Sequence, residues 1–156
     1  MQQKQALRWI LQLLQQQQVP YMLCGGLAAV VYGATRPVHD IDLFVADTHF
    51  LQVAEAGTTY ISKPPRRYCE EAEGWDLEYL QFLYAGTKIE VGNIDKTKIY
   101  DIQAGQWVCL QADLAERRSA TVWDTEVFVM PKAALVAYKQ QLGRPVDLQD
   151  IAEIAE

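Results

Sequence analysis

The stretch LCGGLAAVVYGATRPVHDIDLFV, residues 23–45, limits what this chain can fold into more than any other. It joins a short apolar run to a glycine pair, a small-residue helix and a second apolar run, in which Asp40 and Asp42 stand one residue apart. On a strand, residues i and i+2 point to one face, so Asp40 and Asp42 are expected side by side while Ile41 and Leu43 turn into the core. Two unpaired carboxylates against an apolar core are costly and tend to take up protons. A cation that both can hold removes that cost. Magnesium takes oxygen ligands and commonly combines one or two carboxylates with substrate phosphates. The Asp-Ile-Asp spacing therefore points to metal-assisted phosphate chemistry, with Mg2+ or Mn2+ as the expected cofactor.

The upstream Gly25-Gly26 pair sharpens that reading. Glycines between a strand and a helix permit an unusual turn and close backbone approach, and amides at a helix start can hold phosphate oxygens. A plain tight turn is the alternative. No Gly-Lys-Ser/Thr follows the pair, so this is not a Walker loop, and GGLAAVVYG lacks the spacing of a dinucleotide-binding fingerprint.

Hydrophobic periodicity supplies the frame. Residues 2–18 read as an amphipathic helix, with Leu7, Ile10, Leu11 and Leu14 at i, i+3, i+4, i+7 and Pro20 as the stop. Strands are expected at 21–24 and 39–46, a helix from 27 to about Gly33, and a helix over 48–56 capped by Asp47 or Thr48. Residues 58–74, with SKPPRRY and its two prolines, read as a loop. WDLEYLQFLY and KIEVGNI alternate and should form a hairpin, followed by a strand at 106–110, an ambiguous stretch at 113–118 and a hairpin in TVWDTEVFVM. Two terminal helices follow, the first opened by Pro131 and closed by Gly143, the second running to Glu156. The order α-β-α-β-α-β-β, short strands, two helices predicts one α/β or α+β domain with a small mixed sheet flanked by helices.

Composition excludes several classes. Half of the 156 residues are hydrophobic, enough for a core. The formal net charge of -6 disfavours a broad nucleic-acid surface, which works by neutralising phosphates, although Lys63, Arg66 and Arg67 form one concentrated basic stretch that could touch a polyanion such as RNA. Three widely spaced cysteines make neither a disulfide frame nor a zinc site, and Cys24 and Cys109 read as small buried hydrophobes. No signal peptide and no apolar run long enough to cross a bilayer are present, so a cytoplasmic protein without membrane contact is expected.

The segment VPYMLCGGLAAVVYGATRPVHDIDLFV resembles the nucleotidyltransferase fold of the DNA polymerase beta superfamily, in its minimal and abortive-infection toxin-like branches. Gly25, Gly26, Ala28, Gly33, Arg36, Asp40 and Asp42 follow the family order: glycine pair, short helix, G-x-x-R, then alternating aspartates on a strand. The tail VMPKAALVAYKQQLGRPVDLQDIAEI is a looser match. The resemblance implies one nucleotidyltransferase-like domain over 1–156, with its core at 19–95 and terminal helices at 131–156. It implies a Mg2+-dependent enzyme, ATP-using or using another nucleoside triphosphate, that moves a nucleoside monophosphate to a hydroxyl of tRNA, protein or a small molecule. A toxin–antitoxin setting with an antitoxin or other partner protein is also implied. Asp40 and Asp42 are the expected metal-binding and catalytic carboxylates. A third acid is expected on a neighbouring strand, Glu90 in KIEVG in preference to Glu78 in DLEYL. Gly25, Gly26, Arg36 and Lys139 are the expected nucleotide-binding residues. Asp147 and Asp150 either cap and neutralise the terminal helices or join Lys139 and Arg144 in a solvated ion-pair network. The family carries serine after its first glycine, where this chain has Gly26. The alternative is a non-catalytic nucleotide-binding or partner-binding module of the same fold. A phosphohydrolase fits less well, because only His39 and His49 are available for a His-Asp cluster.

Overall fold

The computed structural model describes residues 1–154. Eight strands form one mixed sheet: β1 (Tyr21–Cys24), β2 (Ile41–Val45), β3 (Ile61–Glu70), β4 (Trp75–Tyr84), β5 (Thr87–Asp101), β6 (Gln106–Cys109), β7 (Arg118–Val122) and β8 (Thr125–Val129). Its spatial order is β3-β4-β5-β2-β1-β8-β7, with β6 paired to the far part of β5. The β2–β5 and β1–β8 pairs are parallel and the others antiparallel. Five helices flank the sheet: α1 (Gln2–Gln16), α2 (Gly25–Val31), α3 (Asp47–Ala56), α4 (Lys132–Leu142) and α5 (Pro145–Ile154). The expected α/β class with a mixed sheet is the observed one. The final two residues of the expected last helix lie outside the described residues.

The pleat divides the central strands into two environments. Ile41, Leu43 and Val45 of β2, Ile89 and Val91 of β5 and Phe82 of β4 are buried. Phe82 meets Trp9 of α1 edge-on at 5.2 Å, so this face is the one α1 covers. The alternate positions, Asp42 and Phe44 of β2 and Glu90 and Gly92 of β5, face a cavity closed on the other side by α4 and α5. Phe44 lies on Gly92, whose absent side chain leaves the room: a Cβ there would stand 2.7 Å from the Phe44 ring.

Four local expectations are corrected. SKPPRRY is not a loop but part of β3, the outermost strand of the sheet. Proline is tolerated on an edge strand because its missing N–H can face solvent, and the register against β4 shifts on both sides of Lys63. Gly25 and Gly26 are not a separate turn but the first residues of α2, with Gly25 at φ +63° making the sharp entry. Asp47 opens α3 from within, after Ala46, and no side chain caps that helix. Cys109 is exposed, because β6 pairs only with β5 at the fringe of the sheet, whereas Cys24 is buried as expected.

Candidate active site

The parallel pairing of β2 with β5 sets Asp42 directly opposite Glu90. The Glu90 carboxyl lies against that of Asp42 and disfavours its ionisation. Burial, the charge and hydrogen bond of Glu90 and the charge of Asp40 together push the Asp42 carboxyl up to about 8, and Lys139 offsets this only in part. A carboxyl pair in this state is the arrangement that forces two like charges to share a proton. Glu78, the other sequence candidate for the third acid, is elsewhere: it accepts from Asn93 at 3.2 Å and faces Lys96 at 3.9 Å.

The expected strand over 39–46 is shorter: β2 begins at Ile41, so Asp40 lies just ahead of it. The β1–β2 ladder ends at the Cys24–Asp42 pair because β1 turns there into α2, and the β2–β5 ladder ends at Ile41–Ile89. Asp40 therefore has no ladder partner and stands exposed at the mouth of the strand, close enough to act on Asp42 through its charge. Among the described residues, no three carboxylate, thiol or imidazole groups are gathered into a ready-made metal cage. The donor set nonetheless fits a hard divalent cation. Asp42 and Glu90 supply two oxygen donors whose mutual repulsion no side chain cancels, Asp40 adds charge, and magnesium habitually completes its shell with water and phosphate.

Gly25 is packed against this pair. A Cβ at residue 25 would lie 2.5 Å from Asp42 Oδ2, so only glycine lets the backbone pass so close to the carboxylate. Its amide is not free for phosphate: it donates to the hydroxyl oxygen of Tyr138 on α4 at 2.7 Å. Gly26 makes room for Arg36, whose Nη2 would stand 2.7 Å from a Cβ at residue 26.

Arg36 and Lys139 both line the cavity, as expected of nucleotide-binding residues, and both are already tied down. Arg36 donates through Nε and Nη2 to the two oxygens of Asp150, at 2.6 and 2.9 Å. Lys139 donates to the same carboxylate at 2.9 Å and lies 3.6 Å from Asp147. Arg144 grips Asp147 through Nε at 2.7 Å. The expected network is therefore real but not solvated: Lys139 is 2% exposed and Asp147 and Asp150 are fully buried. Three cations face two buried carboxylates and the more exposed Glu73, which also lines the cavity and lies 3.9 Å from Arg144.

The cavity holds about 400 Å³. Its far wall comes from β3 and β4: Tyr68 and Tyr79 meet edge-on at 6.0 Å, and Trp75 packs against Tyr138 at 5.8 Å. Lys63, from the basic stretch, reaches over Tyr79, with Nζ 3.5 Å from the hydroxyl. Tyr138 is the site residue that sequence reasoning missed. Its signal was a hydroxyl embedded in the otherwise apolar ALVAY run of α4, which must find a partner when buried.

No family model and no curated protein sequence matches this chain. Solved structures do match it in shape. A protein from Thermotoga maritima described as a nucleotidyltransferase superposes with a TM-score of 0.73 at 19% identity, covering 95% of this chain and 89% of that one. The lincosamide antibiotic adenylyltransferase LnuA, solved with lincomycin bound, gives 0.60 at 17% identity, over 96% of this chain and 94% of that one. ANT(2'')-Ia, solved with adenylyl-2''-tobramycin, gives 0.64 at 13% identity, over 99% and 87%. The chain thus has the nucleotidyltransferase fold. Among the described residues no helix is long and apolar enough to cross a membrane.

Proposed function

We propose that the chain, acting as one domain, is a magnesium-dependent nucleotidyltransferase that moves a nucleoside monophosphate from a nucleoside triphosphate to an acceptor hydroxyl. The observation that carries this is the Asp42–Glu90 pair, set side by side across parallel strands on the wall of a cavity and balanced only in part by Lys139. Asp42 and Glu90 would hold the metal, with Asp40 contributing charge from the mouth. Bound there, the ion supplies positive charge at the α-phosphate and lowers the pKa of the acceptor hydroxyl.

The chain's own residues divide the remaining work. The cation-rich end formed by Arg36, Lys139 and Arg144 attracts the triphosphate, with Arg36 presented over Gly26. Gly25, lacking a Cβ, leaves the space that the Asp42 carboxylate occupies. The acceptor oxygen forms a bond to the α-phosphorus as the bond to the β-phosphate bridging oxygen breaks, and pyrophosphate leaves. The hydroxyl proton passes to the carboxylate of Glu90. That the fold neighbours include adenylyltransferases of small antibiotics supports transfer to a hydroxyl as the reaction class.

The test is transfer of α-phosphate label from each ribonucleoside triphosphate to RNA, protein and small-molecule fractions, with Asp42→Asn and Glu90→Gln as controls. Label incorporated by the wild type alone is the expected result. Triphosphate binding without transfer to any fraction would replace this reading with that of a nucleotide-binding module.

A further inference from the structure

One register row crosses the sheet beneath the cavity. Cys24 pairs with Asp42, Asp42 with Glu90, Glu90 with Gln81 and Gln81 with Lys63. The glycine entry to α2 follows Cys24 at one end of the row, and Lys63 stands at the other, with the carboxyl pair between. Lys63 is three strand spacings from Asp42, about 14 Å between backbones. The two ends differ in how their cations are used. Arg36, Lys139 and Arg144 are bound by Asp150 and Asp147. Lys63 also lines the cavity, yet among the described residues no carboxylate lies within ion-pair distance of it; it meets the ring and hydroxyl of Tyr79. Arg66 lies opposite Tyr79 in the β3–β4 ladder, on the same face, and is exposed without an ion pair among the described residues. Arg67 is a different case, since it is taken by Asp76 at 2.8 Å on the other side of β3.

In a chain of net charge -6, Lys63 on the cavity wall and the exposed Arg66 beside it, together flanking Tyr79, make a specific anion-binding feature rather than a general basic surface. We infer that the β3–β4 face formed by Lys63, Arg66, Tyr68 and Tyr79 is the acceptor subsite, and that it takes a hydroxyl compound carrying a phosphate group. This rests on the transferase reading, which places the triphosphate at the α4–α5 end and leaves the β3–β4 end for the acceptor. The cations receive the phosphate, the tyrosine rings receive the flat or apolar part, and the neighbouring hydroxyl is directed back along the row toward Glu90. A cationic amino sugar does not suit this wall, since it would meet Lys63 and Arg66 with like charge. The phosphate could belong to the end of an RNA strand or to a small phosphorylated alcohol.

The experiment uses the full chain and two probes, a fluorescent tetraribonucleotide and glycerol 3-phosphate, with glucosamine as a cationic control. Magnesium–triphosphate binding is measured beside them. The expected result is salt-dependent binding of at least one anionic probe and none of glucosamine. A Lys63→Gln/Arg66→Gln variant should weaken the probe about tenfold or more, Lys63→Arg should retain it, and triphosphate binding should not change. Tetraribonucleotide binding alone would assign an RNA end; glycerol 3-phosphate binding alone would assign a small molecule. No binding of either probe by the wild type, unchanged probe binding in the double variant, or loss of triphosphate binding instead would overturn the assignment. Probe binding that survives when label transfer fails would refute the transfer reading while leaving the anion subsite in place.

Discussion

The amide of Gly25 donates to the hydroxyl of Tyr138 across 2.7 Å, joining the start of α2 to the middle of α4 directly above the Asp42 carboxylate. Gly25 passes so close to Asp42 that an added Cβ would collide with its carboxylate, and Tyr138 is the side chain that accepts from the Gly25 amide. Tyr138 is itself buried, which together with nearby Cys24 pushes its hydroxyl well above the usual phenol range, so it stays protonated at any working pH.

Tyr138→Phe removes that acceptor and leaves a part-buried amide unpaired, at a cost of about 1 kcal/mol in unfolding free energy. Its larger effect is expected on the reaction. A carboxylate displaced by a fraction of an ångström loses its alignment, so kcat should fall by about one to two orders of magnitude while the KM for triphosphate changes little. Kinetics beside urea denaturation would check both halves. A variant with wild-type kcat would show that the Tyr138–Gly25 bond is structural only.

The two glycines of the pair should respond differently to alanine. Gly25 sits at φ +63°, where an L side chain costs about 1–2 kcal/mol from the backbone alone, and its Cβ would collide with Asp42 Oδ2. Gly25→Ala should therefore lose both stability and activity. Gly26 has no positive φ, and its Cβ would meet the Arg36 guanidinium at 2.7 Å and Val38 Cγ2 at 3.3 Å. Gly26→Ala should fold with little loss and act through a displaced Arg36, raising the KM for triphosphate. Equal damage from the two substitutions would contradict this division.

These contrasts mark what the sequence could and could not reveal. The glycine pair, Asp42 and the alternating KIEVG strand were legible because each is a local pattern with a local cause. Glu90 and Glu78 both lie on alternating strands; the β2–β5 register, a long-range pairing, is what sets Glu90 opposite Asp42. The start of β2 at Ile41, after Asp40, has the same origin, because a strand ends where its partners end. SKPPRRY reads as a loop from its prolines, and only its place at the sheet edge lets it extend as β3. Lys139, Asp147 and Asp150 look like solvated charges in one dimension. Their burial arises from α4 and α5 closing over the cavity, which no spacing within either helix announces.

The Asp42–Glu90 pair predicts an inverted pH dependence for the metal-free protein. Asp42 titrates near 8 when folded and at the ordinary aspartate value of 3.8 when unfolded. Between these values the folded state holds the extra proton, so stability falls as pH rises, by at most about 1.4 kcal/mol per pH unit. Asp47, Asp76, Asp150 and Glu153, all held below their ordinary values, act in the opposite sense, and their stabilisation is lost only as pH falls through the acid range. A chelated sample should therefore melt at progressively lower temperature from about pH 5 to pH 8. Asp42→Asn should flatten that trend. Magnesium should restore the melting temperature at pH 8 and release protons on binding near pH 7, which calorimetry in buffers of different ionisation enthalpy would detect. A melting temperature that rises steadily over this range in the chelated protein would show that Asp42 is ionised throughout.

Asp150 should be the least replaceable residue of the terminal helices. It is fully buried and is the shared acceptor of Arg36 and Lys139. Asp150→Ala leaves Lys139, itself 2% exposed, with only the 3.6 Å contact to Asp147, and frees Arg36 from the position it holds over Gly26. Removing one partner of a buried ion pair costs about 3–5 kcal/mol because the other charge stays buried and unbalanced. The double change Asp150→Leu with Lys139→Met removes both buried charges and should recover much of that loss, since a buried pair replaced by apolar groups is often neutral. It should not recover activity, because Arg36 would still lack its anchor. Urea denaturation and label transfer on the single and double variants separate the two effects. Recovery of transfer along with stability would show that the network serves folding and has no part in holding the triphosphate.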